Sequence, residues 1–409
     1  MPTSPPRPRH CMVVYAIYPL GETRVQREAE ALVEAGYDVD VLCLRGPGEP
    51  ARERYRDVEV HRLPYGLDKR SLAHQLWSYV RFTAAAGRRL ARLHRARPYA
   101  SVQAHNLPDF LVFSALPTKL RGVPVILDLH DLMPEFFAGR FGGKGRAAAW
   151  IGRLVRLQER VSCAFADHVI TVSEHWRRTL IARGVPPAKV SVVMNVADER
   201  IFVPPATPRP NAGAHLIYHG TVTRRYGLDL AIEAVALLRE DLPDLHLTVI
   251  GRGDDMERLE ALRDRLGVAG RVTLRDELVI ADELPALLAE ADVGLAPYRN
   301  DVFTDGLLPT KLMEYAVMGM PCIAGRTTAI ESEFADTFVA FFTPGDAEDL
   351  ARRIRELHDD PALRDELAAG TRRFTERANW KEIGARYVEL VERLGSRRAP
   401  SSITGYQRS

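Results

Sequence analysis

At 409 residues the chain exceeds what one compact core usually organises, and 46% hydrophobic with 27% charged residues describes a soluble two-domain protein, not a disordered or fibrous one. Basic and acidic side chains number 56 and 54, so the formal net charge of +2 gives no global reason to bind nucleic acid. No apolar run is long enough to cross a bilayer, and Cys11, Cys43, Cys163 and Cys322 stand singly without metal-ligand spacing, as reduced cysteines of a cytoplasmic protein do.

The N-terminal "MPTSPPRPRH" leads into "CMVVYAIYP", an apolar stretch too short for a signal-peptide core. From there the first half alternates short β-branched runs with helical patterns, the grammar of a parallel sheet covered by helices. The predicted strands are 11–17, 38–45, 58–64, 100–105, 124–130 and 167–173, and a helix is predicted over 23–36, with Val25, Ala29, Leu32 and Val33 on one face. The second half repeats the pattern, with strands at 215–221, 246–251, 272–276, 293–298 and 321–326. The fold class read from this is α/β, with two Rossmann-like domains facing across a cleft, one over 1–203 and the other over 204–378. The hinge is the proline-rich "PPATPRPNAGA" (204–214). Beyond about residue 345 the pattern is helical, ending in an amphipathic helix over 379–395 that returns to the first domain and a tail over 396–409 that reads as disordered.

Open α/β sheets bind ligands at the carboxyl ends of their strands, so the residues after each strand carry the functional argument. After the first strand, Gly21 allows close backbone approach, and Glu22, Thr23 and Arg24 open a helix; a plain βα turn is the competing reading. His105 and Asn106 end one strand, and His130, Asp131 and Glu135 follow another, where a histidine can donate to a sugar hydroxyl or a phosphate. The alternative there is a helix cap at Asp131 and a histidine satisfied by its neighbours. In the second half Gly220 ends a strand ahead of Arg224 and Arg225, which suit bidentate contact with a diphosphate, and Gly251 with Gly253 follows the next strand; solvent-facing arginines and a tight turn are the plainer readings.

The segment "DGLLPTKLMEYAVMGMP" (305–321) is punctuated as a short helix, with a proline before it and Gly319 after it. Lys311 adds positive charge to an end that is already positive, which is unfavourable unless an anion sits there. Glu314 shares its face and can accept hydrogen bonds from paired hydroxyls such as a ribose; a surface ion pair between the two is the alternative.

In this order and on these strand ends, "YPLGETRVQREAEALVEAGYDVDVL", "LDLHDLMPE", "FADHVITVSE", "VVMNVAD", "YHGTVTRRYG" and "LLPTKLMEYAVMGMP" resemble the retaining glycosyltransferases of family 4, which have the GT-B fold. The resemblance implies a nucleotide-sugar in the cleft, with the 1–203 domain on the acceptor side and the 204–378 domain binding the nucleotide-sugar. It assigns Gly21 to the donor phosphates, His130 to the donor sugar, and Arg225 with the Leu308, Pro309, Thr310 and Lys311 turn to the diphosphate. Gly220, Thr221 and Gly251 fall on the donor side, Glu314 takes the ribose, and the base packs near "DELVI" (276–280), with Leu278 and Val279. His130, Arg225 and Lys311 are then the catalytic candidates, and Glu22, Arg24, His105, Asn106, Asp131 and Glu135 lie on the acceptor side. The chain departs from the family at Gly306, where many members have the first glutamate of an E-x7-E pattern, and at Tyr226, where a lysine is usual.

The expected reaction is sugar transfer from a UDP-sugar, or next a GDP-sugar, to a hydroxyl of a glycan, lipid-linked or small-molecule acceptor, with no metal and no cofactor. A sugar-nucleotide epimerase and a non-catalytic sugar-binding protein are the competing readings. Basic stretches at 87–97 and 140–157, with Trp150, Ile151, Leu154 and Val155 close together on a helical wheel, suit peripheral contact with anionic lipid; burial of that apolar face in its own domain is the commoner outcome.

Overall fold

The computed structural model describes residues 6–19, 22–66, 71–141, 146–204, 212–335 and 337–396. Gly21, part of the 204–214 stretch, part of the 140–157 basic segment and almost all of the 396–409 tail fall outside them. The chain divides into two units, one of residues 1–193 with 381–409 and the other of residues 194–380. The division thus comes at Val193, ahead of the 203/204 boundary expected from the proline-rich composition, because packing changes partners before the composition does.

The first unit is built on an eight-stranded sheet of Arg9–Ile17 (β1), Asp38–Leu44 (β2), Arg52–Tyr55 (β3), Val58–Leu63 (β4), Ser101–His105 (β5), Val125–Leu129 (β6), His168–Thr171 (β7) and Val190–Val192 (β8). Their order is β3-β4-β2-β1-β5-β6-β7-β8, parallel throughout except for the β3–β4 pair. The central strands are buried along their whole length, as parallel strands covered on both faces must be, and Val13, Val102, Leu127, Phe82 and Trp176 are in the core. Strands β2 and β5 lie on either side of β1, so the chain changes direction across the sheet there, and the loops after β5 and β6 are hydrogen-bonded to each other. The terminal helix Trp380–Ser396 belongs largely to this unit and is tied to its sheet by the Tyr387 hydroxyl, which donates to Gln103 Oε1 at 2.8 Å.

The second unit has six parallel strands, His215–His219 (β9), His246–Ile250 (β10), Val272–Arg275 (β11), Val293–Ala296 (β12), Cys322–Gly325 (β13) and Val339–Phe342 (β14), in the order β11-β10-β9-β12-β13-β14. Its switch point lies between β9 and β12. The helix Thr310–Val317 is pinned beside this gap by Tyr315, whose hydroxyl lies 3.2 Å from the Ile217 carbonyl and 3.3 Å from that of Leu295. Glycine is required at 294 for this: a Cβ there would lie 2.4 Å from the Tyr315 ring. With Tyr315 fixed, Lys311 one turn earlier falls at the carboxyl ends of β9 and β12.

Candidate functional site

In the first unit the chemistry gathers around Asp128, the one charged residue in the apolar strand β6. Its Oδ1 accepts from Arg24 Nη2 at 2.8 Å, and its Oδ2 accepts from Arg24 Nε, His105 Nδ1 and His130 Nε2, each at 2.9 Å. Burial alone would keep this carboxyl protonated, but the Arg24 guanidinium and the two histidines hold it well below the usual carboxylate range. Burial likewise works against the charged form of His130, yet Asp128 wins and raises its pKa. His105, fully buried, is pushed down to about 4 by desolvation despite the same carboxylate.

Arg24 and His105 therefore do not take the acceptor-side positions expected of them. Both are buried beneath His130, because an isolated carboxylate in β6 needs a cation and a donor at hand. Asn106 is also structural: its Oδ1 accepts the His130 backbone N–H at 2.9 Å, while its Nδ2 donates to the Asp131 carbonyl at 2.6 Å and to Asp109 at 3.0 Å, fixing the loop after β6. Glu135 is bound to Arg183, which also pairs with Glu159 at 2.9 Å. Glu22 and Asp131, half-buried near His130, have carboxyl pKa values raised by burial. His105, Asp128 and His130 offer ligand atoms within 4.8 Å of one another. Their disposition does not suit a metal ion, since both Asp128 oxygens already accept from Arg24, whose guanidinium would lie beside it.

The network extends inward from Asp128. Arg24 Nη2 also lies 3.1 Å from Glu28, Gln103 donates to Glu28 at 2.6 Å, and Tyr387 donates to Gln103. Nothing local in the sequence announces this chain of contacts; the only signals were an aspartate inside an apolar strand and acidic and basic residues on the buried face of the first helix.

In the second unit Lys311 is buried among three tyrosines. Its Nζ donates to the Tyr298 hydroxyl at 2.7 Å and lies 4.5, 5.6 and 5.0 Å from the ring centroids of Tyr218, Tyr226 and Tyr298. Desolvation lowers its pKa to about 8. Arg225, in the turn after β9, has its guanidinium 5.2 Å above the ring of Phe303, in the loop that leads to Leu308, Pro309 and Thr310. That loop delivers the helix Thr310–Val317 with Pro309 at its cap position and no side chain capping its first N–H groups. Gly319, with φ +72°, ends the helix as its sequence predicts.

Glu314 lies 3.1 Å from His219, at the end of β9, and not in an ion pair with Lys311. Asp305, beside Gly306, is committed elsewhere: its carboxylate accepts the Thr328 backbone N–H at 2.9 Å at the start of the helix Thr328–Phe334. The glycines after the strands serve backbone packing. A Cβ on Gly251 would lie 1.7 Å from the Gly220 carbonyl and one on Gly253 1.6 Å from that of Val222, so two loops run against each other. Thr221 is exposed, Val279 half-buried, and Leu278 projects into solvent.

Residues 21–195 match the family model for the glycosyl transferase 4-like domain, and residues 213–360 match that for glycosyl transferases group 1. The chain is 25% identical to the 2-deoxystreptamine glucosyltransferase of Streptomyces kanamyceticus over 85% of its own length and 92% of that protein. It is 26% identical to the glycogen synthase of Mycobacterium tuberculosis, with 91% of each chain covered. Among solved structures, sucrose-phosphate synthase from Thermosynechococcus elongatus superposes with a TM-score of 0.75 at 19% identity, over 96% of this chain and all of that one. The Anabaena HepE protein in complex with UDP and glucose gives 0.67 at 15% identity, over 95% of this chain and all of that one.

Proposed function

Since this chain belongs to the family 4 glycosyltransferases of GT-B fold and is an enzyme of the hexosyltransferase type, we propose that it moves a sugar from a nucleotide-diphosphate donor to an acceptor hydroxyl with retention of configuration and without a metal ion. The donor is a UDP-sugar in the first place and a GDP-sugar in the second; the acceptor is a glycan, a lipid-linked sugar or a small molecule.

The observation that supports this most is the cationic end of the second sheet: Lys311, the uncapped N-terminus of its helix, and Arg225 in the turn after β9. A diphosphate leaving group gathers negative charge as the C1–O bond breaks, and preorganised donors that need not reorient stabilise that charge most effectively. Burial makes Lys311 costly to keep charged, and an arriving diphosphate offsets that cost. Glu314 then accepts from the ribose hydroxyls, and the base lies against Leu278 and Val279. In the first unit His130 is held by Asp128 through Nε2, which leaves Nδ1 for the sugar being transferred. Retention follows if the acceptor attacks from the face the phosphate leaves, the departing phosphate oxygen taking the acceptor's proton.

The direct test is a thermal-shift panel of UDP, GDP, ADP and dTDP, because a ligand that binds only the folded protein raises its melting temperature by mass action. A shift with UDP, or failing that GDP, is expected; no shift with any of the four sinks the proposal.

A further inference from the structure

The helix Arg146–Phe165 in the first unit turns its apolar stripe away from the protein. Trp150, Leu154, Leu157 and Val161 follow the spacing i, i+4, i+7, i+11 of a single helix face, the spacing normally used to bury a helix on its domain. Instead they are 63%, 50%, 55% and 46% exposed. The opposite face, with Glu159, Ser162 and Cys163, is the buried one. On a helical wheel Arg153, Arg156 and Arg160 form a second stripe alongside the apolar one; all three are exposed, and none is ion-paired among the described residues.

A second exposed apolar group lies nearby. Leu76, Trp77 and Val80 project from the helix Leu72–Ala96, with exposed Arg81 and Arg88 on the same helix. Both helices pack on the short helical turn Asp109–Ala115, so the two groups flank one element of the first unit. Tryptophan on an apolar stripe beside unpaired arginines is what a helix lying in a lipid interface requires: the ring and the leucines enter the acyl boundary, while the guanidinium groups stay among headgroup phosphates. A protein partner would need acidic side chains to match the arginine stripe, whereas an anionic bilayer offers negative charge and apolar depth together.

We propose that this face of the first unit, centred on Trp150, Leu154, Leu157 and Val161 with Arg153, Arg156 and Arg160 beside them, seats on the surface of an anionic lipid bilayer. No helix among the described residues is long and apolar enough to cross a membrane, so this contact is interfacial.

The test is co-sedimentation of the full chain with vesicles of phosphatidylcholine alone and of phosphatidylcholine mixed with phosphatidylglycerol. The wild type is expected to sediment with the mixed vesicles, to bind pure phosphatidylcholine weakly, and to be released by salt. Two triple variants, Trp150→Ser with Leu154→Ser and Leu157→Ser, and Arg153→Glu with Arg156→Glu and Arg160→Glu, should each lose at least about tenfold in vesicle binding with an unchanged melting temperature. Equal binding to both vesicle types, no binding at all, or full binding by both variants overturns the proposal. So does a self-associated species in light scattering that the serine variant abolishes while vesicle binding is unaffected. The readout is independent of nucleotide binding, so it stands or falls separately from the donor panel.

Discussion

Tyr226 lies flat against Tyr298, ring centroids 4.3 Å apart and planes 11° from parallel, and the hydroxyl of Tyr298 receives the ammonium of Lys311. Tyr226, where the resemblance would put a lysine, thus becomes one wall of the box around Lys311. A second cation at 226 would sit beside Lys311 in a site that already depresses its pKa; an aromatic face attracts the ammonium instead.

The box makes folding stability depend on pH through Lys311. Burial lowers its pKa from the ordinary 10.5 of a lysine to about 8 in the folded chain. Between these values the unfolded chain binds more protons, so the contribution of Lys311 makes stability rise with pH, by at most about 1.4 kcal/mol per pH unit. Denaturant melts between pH 8 and 9.5 should show this slope in the wild type and a flatter one in Lys311→Met. Identical slopes would mean that Lys311 is not desolvated.

Arg225 is half-buried and rests on one side of a phenylalanine, so its removal leaves little cavity. Arg225→Ala is expected to melt within a few degrees of the wild type while losing transfer activity by about two orders of magnitude, the scale seen when one donor to a developing anion is deleted. Initial rates with a saturating acceptor, set beside a thermal melt, check it.

The two histidines on Asp128 separate by role. His105→Ala removes a fully buried ring and a donor to a buried carboxylate, and should cost about 3 kcal/mol of stability. His130→Ala, at a partly exposed site, should cost less stability but most of the activity. Chemical denaturation and turnover measured on both variants give the comparison; a stable, fully active His130→Ala would remove that residue from the reaction.

Asp305 is the nearest acid to the missing first glutamate, and its contact with the Thr328 N–H makes it a helix cap. Asp305→Ala should lower stability by about 1 kcal/mol and leave the ranking of donor sugars unchanged. A changed ranking in a competition assay would show that the carboxylate reaches the sugar.

The strands at the centre of both sheets were legible because a buried parallel strand is an unbroken β-branched run, and their order along the chain gave the paired α/β plan. Strand β3, "RERY", was not legible: it is a short antiparallel edge with exposed charged residues and no apolar run to mark it. Strand β8 is only three residues long. His130, Arg225 and Lys311 stood out as candidates because each stands at or just beyond a strand or helix boundary. Asp128 and the three tyrosines around Lys311 did not, since their meaning comes from neighbours distant in sequence. The helix Arg146–Phe165 shows the limit of periodicity: spacing identifies an apolar face but not the direction in which it points.

The hydrogen-bonded path from Tyr387 through Gln103, Glu28 and Arg24 to Asp128 also has an order in time. A ribosome makes all eight strands of the first sheet, then the whole second unit, and only afterwards the helix that carries Tyr387. Until that helix docks, Gln103 and Glu28 lack the last member of their network, and the scaffold beneath His130 stands incomplete. The last hydrogen bond of the scaffold beneath His130 is thus made only after the whole second unit has been synthesised.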